Sequence, residues 1–186
     1  MHFDFIKPNF ILPLLTYVPF MVRWPGVVKA GSVCSQLVYQ ADLMRTFAEV
    51  FNVKLPDTAG EDSFSLMPLL KGDDKSIREN AVSASIGGTP ALRSGSWKYI
   101  PAPGSGGWGK GGEQSQPVQL YNLAEDIGET KNLAAAMPEK IIEMKTLLEK
   151  LITDGRSTFG ALQKNDVEVT RYPAKDAPKK KEKASK

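Results

Sequence analysis

The 186-residue sequence has one cysteine and one histidine. A lone Cys34 can neither close an internal disulfide nor supply a cysteine-rich metal cluster. His2, at the extreme N-terminus, leaves the body of the chain without a histidine for a Ser-His-Asp triad, a Cys-His pair or a His-ligated zinc. Long apolar runs are also lacking. Residues 10–22 form the longest, thirteen residues interrupted by Pro13, Thr16 and Pro19, against the roughly 20 that span a bilayer. The same run makes a poor signal peptide, because Lys7 is offset by Asp4 and no small-x-small site follows. Charge of one sign is missing from the body too. The formal charge is +3, but residues 175–186 hold six Lys against Asp176 and Glu182, so residues 1–174 carry 18 basic and 19 acidic groups. The basic character belongs to a tail, and the expected partners include no nucleic acid and no membrane span.

What is present is ordinary globular material, 41% hydrophobic and 24% charged, in a length that suits about one domain. Residues 17–24, β-branched and aromatic and closed by Pro25-Gly26, predict a short buried strand, and residues 33–40 predict a second. Asp42 is placed as the N-cap of a helix whose apolar residues fall at 43, 44, 47, 50 and 51, all on one face. A short helix is expected over 64–70 with Lys71-Gly72 as its stop. Residues 81–86, 91–94, 97–100 and 118–121 read as strands divided by tight turns, hence an antiparallel sheet, with a hairpin at Ser94-Gly95. Pro138 opens a long helix ending at Gly155, with Ile141, Met144, Leu148, Leu151 and Ile152 as its buried stripe. Cys34 is expected to be a buried or half-buried thiol.

Candidate chemistry is sparse. Gly104 to Gly109 fits GxGxxG and Gly104 to Lys110 fits the start of a phosphate loop, but Gly111 stands where a Mg²⁺-binding hydroxyl is needed and no helix follows. The segment reads instead as a loop between strands, whose Trp108 and Lys110 are candidates to touch a polar or anionic ligand. Asp73-Asp74 follows a helix stop and reads as a solvated turn more than a Ca²⁺ pair. Lys179-Lys180-Lys181 is a candidate polyanion contact.

The order of segments says more than any one motif. Val18 to Gly26, Ala30 to Ser32, Gln40 to Ala48, Ser63 to Gly72, Ala91 to Ile100, Leu120 to Ala134, Asp154 to Thr158 and Gln163 to Asn165 together resemble the stretch of sulfatases, arylsulfatase-like members in particular, that follows the catalytic half. The resemblance covers about residues 18–166. It implies an α/β fold, α+β within this chain, in which a small antiparallel sheet packs against a long C-terminal helix as in the sulfatase C-terminal domain. The implied organisation is an unmatched segment over 1–17, a remnant of the sulfatase central region over 18–80, the C-terminal subdomain over 81–158 and a Lys-rich tail over 159–186.

The family hydrolyses sulfate esters with a formylglycine made from a C/S-x-P-x-R motif and with Ca²⁺. Neither maps here. Cys34 continues as Ser-Gln-Leu-Val, and Ser115-Gln-Pro-Val ends in Gln119 where Arg is needed. The expectation is therefore no catalytic residue, no metal ligand and no cofactor in this chain, which by itself is inactive. The competing expectation is a non-enzymatic module that binds sulfated glycan or another polyanion. Expected partners are the missing catalytic domain or a second copy, because Val18 to Trp24 and the helix after Asp42 resemble pieces that pack on that domain and would leave an apolar patch exposed. The expected location is cytoplasmic by default, although family members are often exported.

Overall fold

The computed structural model describes residues 20–85, 88–104, 115–167 and 169. In chain order the elements are α1 (Asp42–Val50), α2 (Met67–Leu70), β1 (Asn80–Ala84), β2 (Pro90–Ser94), β3 (Trp97–Ile100), β4 (Gln119–Asn122) and α3 (Pro138–Asp154). The four strands form one antiparallel sheet in sequence order. Gly95-Ser96 makes the two-residue turn between β2 and β3, with Ser94 opposite Trp97 and Gly95 at a φ of 56°. Glycine takes such a turn without the steric cost a side chain brings.

Strand alternation divides the sheet into two unlike faces. On one, Val82, Leu92, Tyr99 and Leu120 stand in register across all four strands, and Met144 and Leu148 of α3 close over them. Leu92 and Leu120 are wholly buried, each stabilising the fold by about 1.5–3 kcal/mol. Pro138 begins α3 and Gly155, left-handed at φ 64°, ends it. A Cβ at Gly155 would lie 2.2 Å from the Gln163 carbonyl oxygen, so close approach as well as φ requires glycine there. The stripe anticipated for α3 forms, with Met144 and Leu148 as its buried centre.

The other face carries Ala91 and Arg93, Lys98 and Ile100, Gln119 and Tyr121. The Tyr121 hydroxyl donates to Gln119 Oε1 at 2.8 Å, and Gln119 Nε2 donates to the carbonyls of Ala102 and Gly104 at 2.7 and 2.9 Å.

The N-terminal expectations need correction. Residues 20–24 form no strand, and Phe20 and Met21 are exposed; only the turn at Pro25-Gly26 forms, with Val27 and Val28 N–H on the Trp24 carbonyl. Pro25 has no N–H to give a ladder, and no described strand lies beside this segment. Residues 33–40 likewise make no strand, and Cys34 is an exposed thiol, not a buried one.

Asp42 does not cap α1 from outside. It is the first helical residue, fully buried, and Ala41 holds the cap position without a side-chain bond. The polar stripe of α1 is the buried one. Segment 63–66 lies along it: Phe64 N–H donates to Asp42 Oδ1 at 2.9 Å, Arg45 N–H to Ser63 Oγ at 2.8 Å and Leu66 N–H to Thr46 Oγ1 at 2.9 Å. The apolar stripe faces outward, with Met44, Phe47 and Phe51 exposed.

Candidate functional site

Three buried charged centres hold the loops around the sheet. On β3, Lys98 has both neighbours in sequence on the opposite face, so its own side chain enters the polar face of the sheet. There Nζ meets both carboxylate oxygens of Glu129 at 2.7 and 2.6 Å, and both side chains are fully buried. Burial pushes the Lys98 ammonium down and the Glu129 carboxyl up, and each is opposed by the charge of the other. Glu129 has φ 54° in a loop held by Asp126. Burial raises the Asp126 carboxyl, but the N–H groups of Lys131 and Thr130 outweigh it and hold the group below its ordinary range. Asn132 then clasps β4, accepting from Leu120 and Ala134 N–H at 3.0 Å and donating to the Val118 carbonyl at 3.1 Å. Asp126, Glu129 and Asn132 thus each secure the sheet.

The second centre is Arg156, just past α3. Its guanidinium donates to the carbonyls of Thr158, Phe159 and Ala161 and to Asp57 Oδ1. The Ala161 N–H, followed by the Arg156 contact, keeps the Asp57 carboxyl below its usual range. Ser157 and Thr158 N–H both reach the Glu61 carbonyl, tying the end of α3 to loop 57–62.

The third centre is Arg78, in the segment leading into β1. Its side chain is 1% exposed and lies against the rings of Tyr39 and Phe64, whose centroids are 5.5 and 4.9 Å from Cζ. Nη2 donates to the Asp62 carbonyl at 2.6 Å and pairs with Asp42 Oδ1 at 3.1 Å. Nε and Nη1 are buried without a hydrogen-bond acceptor. Burial lowers the Arg78 pKa from its ordinary value, and burial raises Asp42 despite the Phe64 N–H, the Arg78 charge and the Tyr39 N–H. Arg78 lines an open cleft of about 690 Å³ with Gln36, Ser76, Arg93, Ser94 and Ser96.

The ligand candidates Trp108 and Lys110 lie outside the described residues, as does the Lys179–Lys181 tail. Asp73 and Asp74 are exposed, and Asp73 Oδ1 accepts the Lys75 N–H at 3.0 Å, as a polar turn does. Among the described residues no three His, Cys, Asp or Glu side chains gather as a metal site requires. No described helix is long and apolar enough to cross a membrane.

Sequence reasoning missed Arg78 and the Lys98–Glu129 pair. The available signal was a lysine inside a strand otherwise made of Trp97, Tyr99 and Ile100, since a buried lysine needs an acid.

A four-stranded antiparallel meander with one covering helix defines a mixed α/β domain of the kind found in the C-terminal part of sulfatases. Comparison with known proteins agrees. A family model for the C-terminal region of N-sulphoglucosamine sulphohydrolase matches residues 5–83. An N-acetylgalactosamine-6-O-sulfatase of Bacteroides thetaiotaomicron is 36% identical over 143 residues, 74% of this chain and 28% of that protein. Human arylsulfatase A is 31% identical over 166 residues, 78% of this chain and 32% of its own length. A solved structure from work on glycosaminoglycan metabolism by Bacteroides thetaiotaomicron aligns with a TM-score of 0.61 at 33% identity, over 72% of this chain and 28% of that one. The chain is similar to the C-terminal portion of sulfatases and spans about 30% of the length of these relatives.

Proposed function

We propose that this chain serves as the C-terminal portion of a sulfuric ester hydrolase of the arylsulfatase type and supplies structure, not the nucleophile. The observation that carries the reading is the 36% identity to an N-acetylgalactosamine-6-O-sulfatase across 143 residues. Hydrolysis of a sulfate ester calls for an activated nucleophile, positive charge on the developing oxyanions and an acid for the leaving alcohol. The described residues offer no activated nucleophile: Cys34 is an exposed thiol outside a maturation motif. What they offer is a sheet and loops fixed by buried ion pairs, a frame on which a catalytic portion could seat.

The test is sulfate release from a chromogenic aryl sulfate by the purified chain, with Ca²⁺ present, after expression beside a formylglycine-generating enzyme. No turnover is expected from the chain alone. Turnover above a blank preparation overturns the structural role, and Ser115 and Cys34 are then the first residues to substitute.

A further inference from the structure

We propose that the free edge of β1 pairs with the β1 edge of a second copy of this chain, antiparallel about a twofold axis at Val82. The β1–β2 register decides which backbone groups are already taken. Gly95 N–H donates to the Glu79 carbonyl and Ser85 N–H to the Thr89 carbonyl, so hydrogen-bonded pairs fall at 79–95, 81–93, 83–91 and 85–89. The N–H and C=O groups of Asn80, Val82 and Ala84 therefore point away from β2. Among the described residues no hydrogen bond reaches them there. The opposite edge of the sheet differs. On β4, Leu120 N–H donates to Asn132 Oδ1 at 3.0 Å and the Leu120 carbonyl accepts from Leu133 N–H at 2.8 Å, so the loop after β4 occupies that edge.

β1 also lacks the devices that keep an open edge from pairing. Its sequence, Asn-Ala-Val-Ser-Ala, holds no charge and no proline, and its register with β2 runs without a bulge. What the edge presents is self-complementary, which favours a second copy over a foreign strand. With Val82 opposite Val82, Asn80 of each copy faces Ala84 of the other, and all three residues have their free N–H and C=O groups in phase to be exchanged. The flanking Glu79 falls opposite Ser85, so no two carboxylates meet. Even-numbered side chains of β1 stand on the α3 face, where half-buried Val82 ends the row of Val82, Leu92, Tyr99 and Leu120. A second Val82 continues that row into the neighbouring sheet. This contact uses no residue of α1 and rests on no catalytic reading.

The test is amide solvent exchange read by ¹⁵N NMR on the full chain, from about 20 µM to about 2 mM, a range that suits the weak affinity of a short edge. Exchange at Asn80, Val82 and Ala84 should slow by about threefold or more toward the high end, as the free fraction of a monomer–dimer equilibrium falls. Ala81 and Ser83, already bonded to β2, should not change. Charge then reads the register. Asn80→Lys with Ala84→Lys sets like charges opposite each other at both ends and should abolish the slowing, whereas Asn80→Lys with Ala84→Glu sets opposite charges there and should restore it. Native shifts at Leu92, Tyr99 and Leu120 report an intact sheet. If both double variants lose them, Ala84→Pro decides: it removes one outward N–H at an exposed edge position and should abolish the slowing at Asn80 and Val82. Even-numbered amides that exchange freely at every concentration, or that respond alike in the two charge variants, overturn the proposal. Association that leaves these amides unchanged, as a contact through α1 does, overturns it too.

Discussion

Lys98 and Glu129 are a bidentate pair with no exposure, and desolvation works against both charges. Their attraction pays for that desolvation only while both are present. Glu129→Gln or Lys98→Met should each destabilise the chain by about 3–5 kcal/mol, because each strands a buried charge or donor. The double variant Lys98→Met, Glu129→Leu should recover most of that loss. Denaturant unfolding of the two single variants and the double variant checks the cycle; single variants that lose less than about 1 kcal/mol would show that the pair carries little. The residues of this centre were legible as members of a resemblance, in Trp97-Lys98-Tyr99 and in the Glu129–Asn132 stretch. Their pairing across 31 positions was not, because side-chain partners at that separation are set by register and loop closure. Arg78 was less legible still. Its neighbours Tyr39 and Asp42 come from one stretch of sequence and Phe64 from another, both distant from Arg78.

At the scale of elements, the sheet and α3 were readable from local pattern. Short apolar and aromatic stretches, a Gly-centred turn, Pro138 at the helix start and Gly155 at its end all carry their reasons within a few residues. Residues 20–40 were misread because apolar, β-branched composition describes a surface that wants cover without naming the strand that would cover it. α1 shows the same ambiguity from the other side. Its apolar periodicity was plain, yet the buried stripe is the polar one, since Asp42 and Thr46 satisfy the backbone of segment 63–66. This arrangement makes an unusual contrast testable. Thr46→Val keeps the shape but leaves the buried Leu66 N–H unmatched, and it should cost about 1–3 kcal/mol. Phe47→Ser removes a large apolar group that is 54% exposed, and it should change stability by no more than about 0.5 kcal/mol. Thermal unfolding of the two variants side by side checks the contrast; a larger loss from Phe47→Ser would mean that the outer stripe of α1 is covered in solution.

For the whole molecule, the consequence is a well-buried sheet core beside an α1 whose apolar stripe is left open. The sheet and the inner face of α3 bury their apolar groups together, whereas Phe20, Met21, Met44, Phe47 and Phe51 remain open to water, as do Ile142, Phe159 and Leu162 around the far end of the chain. Exposed apolar side chains gathered on one element mark a surface that associates. The outer stripe of α1 has no cover among the described residues, and in a pure preparation the partner available to it is a second copy. The purified chain should therefore sediment as a concentration-dependent mixture of monomer and larger species. Phe47→Glu together with Phe51→Lys should shift it toward monomer by at least fivefold in apparent dissociation constant. The unfolding midpoint should move little, because neither ring takes part in the buried core. Analytical ultracentrifugation across a hundredfold range of concentration separates the outcomes: a single monomer peak throughout would show that the outer face of α1 is tolerated by water as it stands, and association unchanged in the double variant would move the contact elsewhere on the surface.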